Sequence, residues 1–197
     1  MQFMHGAIIV MQRLKDMFHD WYIHPEYNHN DNGAFHQHMP TMRLLSKGLR
    51  VVEFGARHGT STLAIATGMP ASFISLDIEI KDTVRTIQAI ALDCGIDMTV
   101  VEHNDLEIEI PECDLLFIDT LHTYSQLKQE LALHGNKAQK YIVMHDIVSF
   151  GHSNEDGSAE GPGLLPAIIE FLENNPHWQV EAYYYNNNGL MILSRTC

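Results

Sequence analysis

The stretch Val51-Val52-Glu53-Phe54-Gly55-Ala56-Arg57-His58-Gly59-Thr60-Ser61-Thr62 decides the fold. A β-branched, apolar run with an acid near its end predicts a buried strand, two glycines predict a tight turn, and Thr60-Ser61-Thr62 leading into Leu63-Ala64-Ile65-Ala66 predicts a helix N-terminus. Glycine lets the main chain turn sharply and lets a ligand lie against bare backbone, while the free N–H groups of the next helix face the same place. The segment reads as a nucleotide-type binding corner. A dinucleotide fingerprint needs G-x-G-x-x-G, and here Arg57 stands where the middle glycine would be, so the spacing speaks against NAD.

Working outward, the same grammar repeats. Ser72-Phe73-Ile74-Ser75-Leu76-Asp77, Met98-Thr99-Val100-Val101-Glu102, Cys113-Asp114-Leu115-Leu116-Phe117-Ile118-Asp119 and Tyr141-Ile142-Val143-Met144-His145-Asp146 are apolar runs ending in acids. Helical patterns separate them, with Val84, Ile87 and Ala91 after the second strand and Leu127 and Leu131 after the fourth. Strand and helix alternating in this way give a mostly parallel sheet covered on both faces, with ligands at the carboxyl ends of the strands. Asp77, Asp119 and Asp146 fall at that edge. Leu164, Leu165, Ile168, Phe171 and Leu172 mark a last helix, and 180–185 and 190–194 flank Asn186-Asn187-Asn188-Gly189, a strong hairpin signal.

Upstream, Ile8, Met11, Leu14, Phe18 and Trp21 recur at helical spacing and predict a helix from Met1 to about Ile23. The turn-rich Pro25-Glu26-Tyr27-Asn28-His29-Asn30-Asp31-Asn32-Gly33 follows, then a short helix over 41–48. Residues 1–48 form a helical cap on a core of 49–197, together one domain, consistent with a length of 197 residues. His19, His24, His29, His36 and His38 cluster in the cap region; a metal site is weighed there, and loop histidines touching solvent or substrate are the favoured reading. Residues 151–163, polar and glycine-rich, are expected to act as a mobile lid.

Composition excludes several classes. With 45% apolar and 19% charged residues the chain is globular. A formal charge of −13, from 12 Lys and Arg against 25 Asp and Glu, argues against nucleic acid as a partner. Cys94, Cys113 and Cys197 show neither disulfide nor zinc spacing, and a reducing cytoplasm fits. The apolar run Gly6-Ala7-Ile8-Ile9-Val10-Met11 is too short for a membrane span. Oligomeric state is left open, a homodimer included.

Glu53-x-Gly55-x-x-x-Gly59 resembles the first motif of class I S-adenosylmethionine (SAM)-dependent methyltransferases in its looser form. Taken with Phe117-Ile118-Asp119-x-x-His122-x-Tyr124, His145-Asp146 and Gly161-Pro162-Gly163, the chain is similar to a small branch of that family. The branch includes macrolide-sugar O-methyltransferases and cephalosporin-hydroxylase-like proteins. The resemblance implies a Rossmann-like, seven-stranded, mostly parallel sheet with a C-terminal antiparallel hairpin, and O-methylation of a small-molecule or sugar hydroxyl. It places Glu53, Gly55, Ala56, Gly59, Thr60, Ser61, Asp77 and Asp105 at the cofactor, with Asp77 accepting from the ribose hydroxyls and Asp105 near the adenine. It implies Asp119 and Asp146 as metal ligands, with Asp119 also catalytic, and His122 as the base.

The chemistry is coherent. Methyl transfer from a sulfonium needs an in-line nucleophile, and a sugar hydroxyl is a poor one until its proton is drawn off. Two strand-end carboxylates can hold Mg²⁺, which lowers the hydroxyl's pKa, and a neutral His can take the proton. The family implies a third carboxylate ligand that spacing alone does not place. His145, next to Asp146 on a strand, is expected on the opposite face. Two alternatives stand beside this: an iron-dependent hydroxylase-like enzyme drawing on His122, His145 and Asp119, against which the same alternation argues, and a non-catalytic SAM-binding protein.

Overall fold

A computed structural model describes residues 2–27, 33–155 and 161–196, with side chains from residue 11 onward except that of Tyr27. The turn centre at 28–32 with His29, the middle of the expected lid at 156–160, and Cys197 lie outside the described residues. The chain forms two compact units, Met1–His103 and Asn104–Cys197.

In the first unit, helix α1 (Gln2–Ile23) precedes α2 (Met39–Leu45), β1 (Arg50–Phe54), α3 (Thr60–Thr67), β2 (Ser72–Asp77), α4 (Asp82–Asp93) and β3 (Met98–Glu102). Parallel registers join β1 to β2 through Val52↔Ile74 and β2 to β3 through Ser75↔Val100. Helix α3 is buried at every position, which is why its sequence shows no amphipathic stripe. Helix α1 covers α3 and α4. Its Leu14, Phe18 and Trp21 are buried as their spacing predicts, and the Arg43 guanidinium lies 5.1 Å from the centroid of the Phe18 ring.

In the second unit, β4 (Cys113–Ile118), α5 (Tyr124–His134), β5 (Ala138–His145), α6 (Leu164–Asn174), β6 (Trp178–Tyr184) and β7 (Leu190–Arg195) follow in order. Strands β4 and β5 are parallel, whereas β7 runs antiparallel to both β5 and β6. The hairpin turn places Asn187, Asn188 and Gly189 at positive φ, a conformation Asn and Gly tolerate. The seven strands run in the order β3-β2-β1-β4-β5-β7-β6, the expected mostly parallel sheet with an antiparallel end. Among the described residues no helix is long and apolar enough to cross a membrane.

One buried acid braces the first unit. Glu53 has no solvent exposure, and its Oε2 accepts from the Thr62 hydroxyl at 2.7 Å and the Ser75 hydroxyl at 2.5 Å, tying β1 to α3 and β2. Its Oε1 is buried without a hydrogen-bond partner. Burial pushes its pKa up to about 7, the Asp77 charge adds to the rise, and the hydroxyl donors from Ser61, Ser75 and Thr62 only partly oppose it. Folding therefore takes up a proton between the ordinary value of 4.5 and about 7. The stability this contributes is fully present below the lower value and is lost as pH rises through the upper one. Urea unfolding at a series of pH values should show Glu53→Gln gaining on the wild type by about 3 kcal/mol as pH is raised from 4 to 8; parallel pH profiles for the two proteins would refute the buried, proton-taking Glu53.

Candidate active site

The first unit carries the glycine corner. Gly55 has φ +86°, Arg57 φ +45° and Gly59 φ +90°, and Gly59 N–H donates to the Ala56 carbonyl at 2.7 Å. Only glycine suits position 59, since a Cβ there would sit 2.7 Å from Ile87 Cδ1. Thr60 and Ser61, both buried, open α3, and the Thr83 hydroxyl donates to the His58 carbonyl at 3.0 Å. Asp77 stands at the end of β2, where its carboxylate accepts from the Arg57 N–H at 2.7 Å and the Glu79 N–H at 3.1 Å. The corner thus gathers Gly55, Ala56, Gly59, Thr60, Ser61 and Asp77. Glu53 lies beneath it as a brace, with its carboxylate turned into the core.

The second unit carries a cluster of charges. Parallel pairing sets Ile118 opposite Met144, so the residues just beyond, Asp119 and His145, emerge side by side. His145 Nδ1 lies 3.3 Å from Asp119 Oδ2 and 3.6 Å from Asp146 Oδ2. This corrects the expectation that His145 faces away from Asp146. Asp146 lies past the end of β5 and has φ +60°, a left-handed turn in which strand alternation no longer holds. The Phe150 N–H donates to the Asp146 carbonyl at 2.9 Å across that turn. The alternation argument against two histidines meeting a carboxylate falls with it.

His122 completes the group. Its Nε2 lies 3.0 Å from Asp119 Oδ1 and 3.1 Å from Asp146 Oδ2, and its Nδ1 lies 2.8 Å from Glu155 Oε2. Its ring stacks on Phe150, 5.0 Å between centroids at 9°. Thr123, the N-cap of α5, accepts from the Gln126 N–H and so fixes the turn that presents His122. Glu155, whose N–H also donates to the His122 carbonyl at 3.0 Å, had no signal in the sequence beyond being one acid in a polar stretch.

The electrostatics follow from the geometry. Burial works against charge on His122, but hydrogen bonds and attraction from Asp119, Asp146 and Glu155 push its pKa up to about 9. His145 is likewise raised by Asp119 and Asp146 against the effect of burial. Asp119 is held well below the usual carboxylate range, because the two histidines outweigh its burial. Asp146 is raised by burial and then by Asp119, with the histidines opposing.

Asp105 stands apart from the cluster. Its carboxylate is buried and accepts from Gln126 Nε2 at 3.2 and 3.4 Å, beside Glu130, which burial and Asp105 together raise well above the usual range. Tyr124 of the Asp-x-x-His-x-Tyr motif turns to α6, donating to Glu170 Oε1 at 2.6 Å. Of the cap histidines, His24 meets Glu26 at 3.3 Å, His36 Nδ1 meets the Gly33 carbonyl at 2.6 Å, and His38 is buried beside Phe35. Among the described residues, the one group able to hold a metal ion is Asp119, His145 and Asp146, whose ligand atoms lie within 4.8 Å of one another.

Replacing Gly59 with Ala should cost on the order of 1–3 kcal/mol, from the left-handed backbone and the contact with Ile87. Equilibrium unfolding reads this directly, and an unchanged midpoint would refute the close packing at the corner.

No family model and no curated protein sequence matches the chain. Solved structures do. An O-methyltransferase from Bacillus cereus in complex with SAH (S-adenosylhomocysteine) is 17% identical over 81% of this chain and 81% of its own, with a TM-score of 0.55. Magnesium protoporphyrin IX methyltransferase from Synechocystis with bound SAH is 14% identical over 81% of this chain and 83% of its own, at 0.58. A ribosomal protein methylase from Lactobacillus delbrueckii subsp. bulgaricus is 17% identical over 82% and 80%, at 0.51. With its strand order and antiparallel end, the chain has the fold of the class I SAM-dependent methyltransferases.

Proposed function

We propose that the protein transfers the methyl group of SAM to a hydroxyl oxygen of a small-molecule acceptor, with the Asp119–Asp146 cluster assisting through a divalent cation. The observation that carries this reading is the pairing, in one chain of this fold, of a glycine corner ending at Asp77 with a histidine–carboxylate cluster at the ends of β4 and β5. The corner supplies the cofactor's seat: Gly55, Ala56 and Gly59 offer bare backbone, Thr60 and Ser61 the start of α3, and Asp77 a carboxylate for the ribose hydroxyls. Asp105 takes no part in this proposal through its carboxylate, which Gln126 occupies.

Asp119 and Asp146 fit a cation by their donor chemistry, for Asp146 Oδ1 is buried without a hydrogen-bond donor. When bound, a divalent cation supplies positive charge that lowers the acceptor hydroxyl's pKa and offsets the carboxylate field on His122. His122 Nε2 receives the hydroxyl proton while its Nδ1–H donates to Glu155, and Asp119 and Asp146 stabilise the imidazolium so formed. The oxygen attacks the methyl carbon, the carbon–sulfur bond breaks, and SAH leaves.

Calorimetric titration of the full chain should show micromolar binding of SAH and none of NAD. Asp77→Ala should weaken SAH about 10–100-fold, the scale of lost hydrogen bonds to a charged group. In an acceptor screen, His122→Ala should lower turnover ~10²–10⁴-fold with SAH affinity kept. Absence of SAH binding would sink the methyltransferase reading, and SAH binding without turnover on any acceptor would favour a non-catalytic binding protein.

A further inference from the structure

The donor set at the second unit's cluster is not the one that two aspartates suggest. Mg²⁺ prefers oxygen ligands and gives up its waters reluctantly, whereas imidazole suits borderline transition-metal ions. From the side-by-side emergence of Asp119 and His145 and the left-handed turn at Asp146, we infer that His145 Nδ1 is the third ligand and that the centre selects Mn²⁺, Fe²⁺, Co²⁺ or Zn²⁺ over Mg²⁺. This deepens the cation-assisted reading, though ion binding itself does not require that methyl transfer be correct.

Three observations carry it. The first is spacing. Donors ~2.1 Å from a shared ion at octahedral or tetrahedral angles stand ~3.0–3.4 Å apart, and His145 Nδ1 lies 3.3 Å from Asp119 Oδ2 and 3.6 Å from Asp146 Oδ2. Small side-chain adjustments close such a site.

The second is the orientation of the imidazole. His145 Nε2 lies 3.0 Å from the Asn187 backbone carbonyl, which can only accept, so Nε2 carries a proton. In the neutral ring Nδ1 then presents its lone pair toward the two carboxylates. A backbone carbonyl on the remote nitrogen is the usual device that fixes the tautomer of a metal-bound histidine. His145 is also 2% exposed, so the ring is held by its surroundings rather than by solvent.

The third is Asp146. Its Oδ1 is buried without a hydrogen-bond donor, although the residue is only 7% exposed, and its backbone holds a left-handed φ of +60°. A non-glycine residue pays ~1–2 kcal/mol for that conformation. The turn is what brings the carboxylate to the same side as His145. Meanwhile His122 bonds outward to Glu155 and inward to both aspartates, so it steadies the carboxylates from beside the ligand trio.

The test uses the full chain stripped of metal by chelator dialysis and then titrated calorimetrically with MnCl₂, CoCl₂, ZnCl₂ and MgCl₂, together with pulsed electron paramagnetic resonance of the Mn²⁺ form. We expect Mn²⁺, Co²⁺ and Zn²⁺ to bind at least tenfold more tightly than Mg²⁺, with nitrogen hyperfine coupling on the bound Mn²⁺. In His145→Glu the nitrogen coupling should vanish and the preference over Mg²⁺ should shrink, while SAH affinity, measured in parallel, stays unchanged. Mg²⁺ binding within threefold of Mn²⁺, Mn²⁺ bound without nitrogen coupling, or no ion bound at all would each overturn the inference. If His145→Glu does not fold, the wild-type coupling decides. Failure of SAH to bind a protein that binds Mn²⁺ through nitrogen would overturn the methyltransferase reading and leave this one standing.

Discussion

The parallel pairing of β4 with β5 is the constraint on which the charged cluster depends. Because the two strands run the same way with Ile118 opposite Met144, both chains leave the sheet at one edge, and the residues that follow must share the space there. An antiparallel pair would send the two exits to opposite ends. The apolar strand residues are fully covered, with Leu115, Leu116, Ile142 and Val143 all without exposure, so the strands cannot slide to separate the charges. The sheet thereby imposes a buried His145 against a half-buried Asp119, and their mutual attraction offsets the cost of drawing them away from water.

The first unit solves a different problem with the same residue type. Glu53 and Asp77 both come from the carboxyl halves of neighbouring strands, yet their surroundings set them to different tasks. Glu53 sits before the glycine turn, where hydroxyls from α3 and β2 reach it and water does not, and its proton affinity rises. Asp77 sits at the strand's last position, where the Arg57 and Glu79 N–H groups meet it and solvent remains close. One acid holds the corner together and the other is offered at its rim.

Much of this was legible in the sequence, because strands buried on both faces read as apolar runs and their terminal acids mark the ligand edge. β2 and β3 lie where their patterns place them, and Gly55 and Gly59 take the positive φ that the turn requires. The cluster was legible in part. Asp119 and Asp146 were marked by their place at strand ends and His122 by the family resemblance, but His145 was assigned to the wrong face. Alternation is a rule for strands, and no local pattern announced that the chain turns left-handed at an aspartate. Glu155 was hidden for another reason: its approach to His122 depends on a loop folding back over many residues, and sequence separation of that kind leaves no periodic trace. Asp105 lay just beyond a strand as expected, yet the helix carrying Gln126 and Glu130 engages its carboxylate, an outcome set by tertiary packing.

Proteins of this fold bear names as different as a protoporphyrin methyltransferase and a ribosomal protein methylase, so the sheet and corner they share do not choose the substrate. The cap histidines were read from the sequence as touching solvent or substrate. In the structure, α1 spends its apolar face on α3 and α4, with Leu14, Phe18 and Trp21 all buried. A helix committed in this way contributes stability to the first unit, and its outward face is the polar one, with Gln12, Arg13, Lys15 and Asp16 among its residues. The segments that touch His122 are instead the turn after β4 and the stretch from Asp146 to Glu155, which gives Phe150 to its ring and Glu155 to its nitrogen. Loops can vary in sequence without disturbing the strand register beneath them, and so acceptor choice can change while the cluster is kept.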